Sequence, residues 1–158
     1  MENDEIRFRR VDTSWGEFLL AASGKGLVAV FWPSRRRVSI DESWNPALRK
    51  AAMELRAYVD GRLRAFSVPL DLFGTPFQVK VWKELGKIRW GKTSSYGEVA
   101  RKVGRRGAAR AVGNAAGRNP LPIFIPCHRL LASGGRLGGF SGGLRWKRKL
   151  LSHEGIHP

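Results

Sequence analysis

A single cysteine, Cys127, stands among 158 residues, and that count removes two of the ways a small chain can hold a fold. No internal disulfide can form, and no multi-thiolate zinc site can be built. The fold must therefore rest on a hydrophobic core, and 42% apolar residues over this length supply one. There is room for one ordinary domain or two small ones. A lone cysteine also fits a reducing, cytoplasmic compartment. No stretch approaches about 18 consecutive apolar residues, and the start, Met1 to Glu5, is acidic where an export signal would be basic. Neither a membrane span nor export is expected.

The formal net charge is +16, which points to a polyanionic partner, most simply nucleic acid. Its distribution is uneven. Residues 1–70 carry 12 Lys and Arg against 9 Asp and Glu, a net of +3, whereas residues 71–158 carry 17 against 4, a net of +13. A general solubilising surface would not concentrate in the half that also holds Cys127, so the second half is expected to carry the polyanion-binding surface.

In the first half, Gly16 to Ser23 and Leu27 to Trp32 are strand-like runs joined by Gly24-Lys25-Gly26, a hairpin pattern, with a loop at Arg35-Arg36-Arg37. Asn45-Pro46 is a cap and first-turn pair, and Leu48, Ala52, Leu55 and Tyr58 recur at helical spacing up to Gly61. A domain boundary is expected within residues 66–74, giving domains at 1–70 and 75–158. Thr75-Pro76 then opens a helix with Phe77, Val81, Trp82, Leu85 and Ile88 on one face. Ser95-Tyr96-Gly97-Glu98 is a capping box for a short helix ending at Gly104, and a third helix runs from near Gly107 to Gly117. Two short helices joined by a tight, Gly-containing turn in a basic half make a helix-turn-helix candidate. The second is nearly all Ala and Gly around Arg110. Small side chains would let its backbone approach a duplex closely with Arg110 reaching into it, or would simply pack the helix tightly against a neighbour with Arg110 in solvent.

Cys127 lies in Pro126-Cys127-His128-Arg129, between Ile123-Phe124-Ile125 and a glycine-rich segment. An adjacent base is what a thiol needs to act as a nucleophile near neutrality, yet free cysteine is also among the most buried residue types. Neighbours on a strand point to opposite faces. Cys127 and His128 can therefore serve one site only where the backbone turns or a water bridges them, and Pro126 makes a turn credible.

Taken together, Gly113 to Ala116, Asn119-Pro120, Pro122, Ile123, Ile125, Pro126-Cys127-His128-Arg129, Gly138-Gly139, Gly142-Gly143-Leu144 and Leu150-Leu151-Ser152-His153-Glu154-Gly155 resemble the O6-alkylguanine-DNA alkyltransferases, clearly from about Thr75 to Gly155. The resemblance implies an α+β fold: an N-terminal ribonuclease-H-like α/β domain followed by a mainly helical winged helix-turn-helix domain. It implies a DNA-repair protein, expected to act as a monomer on double-stranded DNA, that moves an alkyl group irreversibly from O6-alkylguanine to its own cysteine, with O4-alkylthymine as a second candidate substrate. By the same resemblance Cys127 is the acceptor, His128 the water-linked base, Glu154 its orienting partner and Asn119 the residue bracing the active-site turn. Tyr96 crowds the target's 3′ phosphate, helps read the base and is the nearest proton donor for the departing guanine. Arg110 fills the vacated stack. Leu130, Phe140, Ser141 and Lys147 belong to the guanine pocket. Apart from the resemblance, basic residues near the helix pair, including Arg101, Lys102, Arg105 and Arg106, can bind phosphates of any sequence, and Ser133 is a further expected DNA contact. The position after Gly139 is usually Tyr in this family and is Phe140 here, so one pocket hydroxyl is absent. Some members bind zinc through N-terminal Cys and His, whereas no Cys or His precedes residue 127 in this chain. No metal or cofactor is expected.

The chemistry fits these residue types. Dealkylation at O6 is an SN2 displacement at an sp³ carbon, which favours a soft sulfur nucleophile over a hydroxyl. Three other readings are open to a chain of this kind. A non-catalytic alkylated-DNA binder would lack the cysteine. A helix-turn-helix regulator would carry base-reading side chains on its recognition helix in place of Ala and Gly. A cysteine hydrolase would turn over many substrates per chain.

Overall fold

The computed structural model describes residues 5–35 and 39–158; Arg36 and Arg37 of the expected basic loop lie outside them. Two compact units divide the chain, Met1–Phe73 and Gly74–Pro158.

The first unit is a three-stranded antiparallel sheet in the order β1 (Arg7–Thr13), β2 (Gly16–Ala22), β3 (Leu27–Phe31), with helix α1 (Pro46–Val59) packed on it. The expected hairpin is β2 and β3, with Leu20 opposite Val30. Strand β1 was not expected: three arginines in seven residues mask a strand whose Val11 is fully buried. Phe18, Leu20 and Leu27 face the core and meet Leu48, Ala51, Ala52, Leu55 and Tyr58 of α1, spaced at the three- and four-residue intervals of one helix face. Part of the segment read as a boundary is stitched into this unit. Leu27 donates to the Pro69 carbonyl at 2.8 Å and accepts from Asp71 at 2.9 Å, and the Glu54 carboxylate accepts from the backbone of Ser67 and Val68. Gly26 is required there, because a Cβ would stand 2.5 Å from the Pro69 carbonyl oxygen.

The second unit is mainly helical: α2 (Pro76–Leu85), α3 (Tyr96–Lys102), α4 (Ala109–Gly117) and α5 (Leu144–His153), with a two-residue parallel pairing of β4 (Ser94–Ser95) and β5 (Leu130–Leu131). Thr75 and Ser95 each close a full capping box, with Gln78 and Glu98. The box at Ser95 fixes the start of α3 and so places Tyr96. Helices α2 and α3 both pack on α4, and the Trp82 indole donates to the Ala115 carbonyl at 2.8 Å, pinning α2 to α4. The small residues of α4 thus serve packing on their buried side, at Ala115 and Ala116, while Arg110, Ala111 and Asn114 stay exposed. Past β5, Ala132 bridges Arg136 around a Ser133–Gly135 turn, a short wing.

Asn45 couples two parts of the first unit. Its Oδ1 accepts from the Leu48 amide at 2.8 Å and its Nδ2 donates to the Ser23 carbonyl at 3.1 Å. Asn45→Ala is expected to destabilise the protein by about 1–2 kcal/mol, lowering the thermal midpoint by roughly 2–8 °C. Asn45→Asp, which keeps the cap and loses only the Ser23 bond, should cost less. Thermal denaturation followed by circular dichroism checks both.

Candidate active site

Beyond α4 the chain enters a stretch, Leu121 to Leu131, in which every residue is buried. Asn119 clamps its start: Oδ1 accepts from the Leu121 amide and Nδ2 donates to the Ile125 carbonyl, both at 2.9 Å. Inside this loop Ile123 has φ of 74°, a left-handed conformation that a β-branched residue adopts only under constraint. After Pro126 the backbone coils into a 3₁₀ turn, Cys127–Arg129. Successive side chains there rotate by about 120° in place of a strand's alternation, so neighbours 127 and 128 are not forced to opposite faces.

His128 is fully buried, and its Nε2 lies 2.7 Å from Oε2 of Glu154, which caps the end of α5. Burial works against the Glu154 carboxylate, but hydrogen bonds from His128 and Arg129 hold it at about 2, so it is ionised and can only accept. Nε2 therefore carries the hydrogen. Burial also lowers the basicity of His128, against the pull of Glu154, leaving a neutral ring at pH 7. Its Nδ1 is then a lone-pair acceptor, and it is buried with no hydrogen-bond partner among the described residues.

Cys127 is 4% exposed. Burial pushes its thiol up to about 11, only partly offset by a hydrogen bond from the Asn119 side chain and by the charge of Lys147. At rest the sulfur is protonated. Lys147 is 0% exposed, and its Nζ donates to the carbonyls of Leu130 at 2.6 Å and Gly139 at 3.1 Å. Burial brings it down to about 8.

Cys127 opens onto a cavity of about 690 Å³ lined also by Tyr96, Arg110, Ser133, Phe140 and Ser141, together with Gly113 and Asn114 of α4. No carboxylate lines it. Tyr96 fits because glycines flank its ring: a Cβ on Gly138 would stand 3.0 Å from the hydroxyl, and one on Gly113 would stand 3.5 Å from the ring. Burial raises Tyr96, and the charge Cys127 gains on ionising would raise it further, so the phenol keeps its proton.

Of the residues expected at the site, the structure gathers Cys127, Tyr96, Arg110, Ser133, Phe140 and Ser141 around one cavity, and places Asn119, His128 and Glu154 behind it. Leu130 and Lys147, expected in the guanine pocket, are not among its lining residues. Both are 0% exposed, and Lys147 braces the pocket wall from behind by joining Leu130 to Gly139. Arg105 lies away from the cavity with its guanidinium over the Phe77 ring at 5.2 Å. Sequence reasoning missed Arg129 as more than a motif letter. It is 5% exposed and donates from Nε to Glu154 Oε1 at 2.7 Å, from Nη2 to Oε2 at 3.0 Å, and from Nη1 to the Ile88 carbonyl. No local signal in the sequence gave this role, because its partners lie 25 and 41 residues away. Among the described residues no group of three or more His, Cys, Asp or Glu is placed to hold a metal.

Comparison with known proteins agrees over both units. Residues 76–156 match the DNA-binding domain of 6-O-methylguanine DNA methyltransferase, and residues 6–72 match its ribonuclease-like domain. A methylated-DNA–protein-cysteine methyltransferase of Mycobacterium tuberculosis is 43% identical over 152 residues, covering 94% of this chain and 92% of the relative. One of Methanosarcina acetivorans is 41% identical over 144 residues, covering 89% and 92%. The crystal structure of the M. tuberculosis O6-methylguanine methyltransferase superposes with a TM-score of 0.84 at 40% identity, over 98% of this chain and 96% of that one. The M. tuberculosis protein in complex with DNA superposes at 0.82 with 42% identity, over 94% and 92%.

The lowered pKa of Glu154 sets an acid limit. Its folded value of about 2 lies below the ordinary 4.5, so its contribution is complete above pH 4.5 and is lost as pH falls towards 2. His128, held below its ordinary 6.5, adds a loss of the same sign that begins as pH falls through 6.5. Denaturant melts between pH 7 and pH 2.5 should show stability falling in both windows. Glu154→Gln should be less stable at pH 7 and flatter below pH 4.5.

Proposed function

The chain belongs to the 6-O-methylguanine DNA methyltransferase family and repairs DNA by moving an alkyl group to a protein cysteine, and we propose that Cys127 is that cysteine, acting once, on O6-alkylguanine in duplex DNA. The observation that carries the reading is the position of the chain's one thiol. It lines the cavity shared by Tyr96 and Arg110, while the next residue, His128, is tied to Glu154 behind it.

The reaction follows from the resting protonation states. The thiol holds its proton, and His128 is neutral with a free lone pair on Nδ1. When an alkylated guanine occupies the cavity, the thiol proton passes through a bridging water to Nδ1, and the imidazolium formed is balanced by Glu154. Sulfur attacks the alkyl carbon opposite O6. As the S–C bond forms, the C–O6 bond breaks and its electron pair leaves with guanine. Tyr96, which keeps its phenolic proton, donates a hydrogen bond or the proton itself to the departing base. The product thioether has no leaving group at neutral pH, so the sulfur is not regenerated. Asn119 positions the turn, Lys147 holds the pocket wall, and Phe140 and Ser141 contact the base.

The target lies inside the helix, so it must be extruded at a cost of a few kcal/mol. Arg110 projects from α4 at the cavity rim and fills the space the nucleotide leaves, while Arg105 and Ser133 contact DNA backbone. The net charge of +13 on residues 71–158 supports binding of any sequence through phosphates. The protein acts as a monomer in the cytoplasm. Among the described residues no helix is long and apolar enough to cross a membrane.

Incubation with excess O6-methylguanine duplex should stop at one methyl per chain by intact mass, and Cys127→Ser should accept none; sustained turnover would overturn the assignment. Arg110→Ala should slow repair of duplex DNA by about tenfold or more, equivalent to roughly 1.4 kcal/mol of lost extrusion energy, while reaction with free O6-benzylguanine stays near the wild-type rate. Equal slowing of both would place Arg110 in the chemical step.

A further inference from the structure

We propose that Arg129 is a positioning residue of the transfer reaction: its fork onto Glu154 fixes the carboxylate for His128 and keeps the imidazole in its neutral, proton-accepting form. The inference rests on the proposed role of His128 as the base for Cys127.

A buried glutamate and histidine in contact have two ways to share charge. With no second cation on the carboxylate, the hydrogen bond and charge of Glu154 pull His128 towards imidazolium, against the burial that disfavours it. Such an imidazolium carries hydrogen on both nitrogens and cannot take the thiol proton. A second cation on the same carboxylate changes the balance, since the carboxylate is then compensated while the imidazole is neutral.

Arg129 has the geometry for this. Nε and Nη2 lie 2.7 and 3.0 Å from the two carboxylate oxygens, and the second of these oxygens is the one that meets His128 Nε2 at 2.7 Å. The guanidinium is anchored at its far side by the Ile88 carbonyl, in the turn after α2. The carboxylate is thus held in plane by a planar fork, which lysine cannot reproduce.

Of the other charged groups near the ring, Lys147 acts in the same direction as Arg129 and Glu154 in the opposite one. Glu154 approaches from the end of α5 and Arg129 from the ring's own turn. Lys147 of α5 bears on both His128 and the thiol, and Tyr96 of α3 faces the thiol. A proton on His128 would therefore join two nearby cations and meet one anion. Burial is the main cause of the low basicity of His128, and the charge of Arg129 is a further contributor.

The test is ¹⁵N NMR of the His128 ring nitrogens between pH 5 and 9 in wild type, Arg129→Gln and Arg129→Lys, with His128→Gln for assignment. In wild type the ring should stay the Nε2–H tautomer down to pH 6.5 or below. In Arg129→Gln the midpoint should rise by about one pH unit, a tenfold change in the protonation equilibrium. Arg129→Lys, which keeps the charge without the fork, should rise by about half as much. A midpoint in Arg129→Gln that is unchanged or lower overturns the proposal. Should that variant fail to fold, the same outcome in Arg129→Lys does so.

Rates with free O6-benzylguanine give the second readout. The glutamine variant should lose most activity at pH 6 and approach wild type at pH 9, whereas a merely structural role would lower the rate equally at every pH and would also overturn the proposal. If wild type itself takes no methyl group from O6-methylguanine duplex, the functional assignment fails, and the NMR midpoint still decides the role of Arg129.

Discussion

The carboxylate of Glu154 is the anion around which the second unit is arranged. It is 4% exposed, and a buried charge persists only with partners that return what water would have given. Two consecutive residues supply them. The 3₁₀ turn at Cys127–Arg129 presents His128 and Arg129 to the same carboxylate, which an extended chain could not do, and the third member of that turn is the thiol. Removing one partner of a buried ion pair typically costs about 3–5 kcal/mol. The interaction that holds the end of α5 to the turn thus also bears on the protonation of His128.

The same dryness that makes this cluster strong makes the resting thiol weak. With the sulfur pushed up to about 11, no thiolate stands in the dry site at rest. A preformed thiolate would react with any small electrophile that entered. In the proposed reaction the sulfur becomes nucleophilic only as its proton moves onto His128, so reactivity would coincide with occupancy by a substrate whose own leaving group must be neutralised. Tyr96 fits that timing because it, too, is held in its protonated form.

Much of this was legible in the sequence where local signals are strong. Asn45-Pro46, Thr75-Pro76 and Ser95 to Glu98 are caps whose physics is confined to four residues, and the structure places helix starts at each. The Pro126-Cys127-His128-Arg129 run, with Glu154, suggested a site by resemblance, and the structure brings these residues together. What was not legible depends on contacts distant in sequence. Strand β1 reads as charged because Arg7, Arg9 and Arg10 interrupt it, and only its register with β2, such as Val11 against Phe18, reveals a buried face. Lys147 lies in Leu144 to Leu150, a run with four cations, and nothing local distinguishes the one that is buried from Arg145, Arg148 and Lys149, which are exposed. Its burial follows from two carbonyls, at residues 130 and 139, that only the folded chain brings together. Arg129 is the same case, since its partners are 25 and 41 residues away.

The aim of the sulfur depends on a strained peptide upstream. An in-line displacement tolerates little error in the direction of attack, so the turn that carries Cys127 has to be stiff. Ile123 in the left-handed region costs about 1–3 kcal/mol, while burying its side chain to 1% exposure returns about 1.5–3 kcal/mol. The two are comparable, so the conformation persists because Asn119 closes the loop around it with bonds to Leu121 and Ile125, on either side of the strained residue. The Ile125 amide returns a bond to Leu121 and its carbonyl accepts from Cys127, so the loop passes its constraint directly to the nucleophile. A glycine at 123 would relax the backbone and forfeit the side chain that keeps it in place. Isoleucine there makes the approach to Cys127 rigid at almost no net cost in stability.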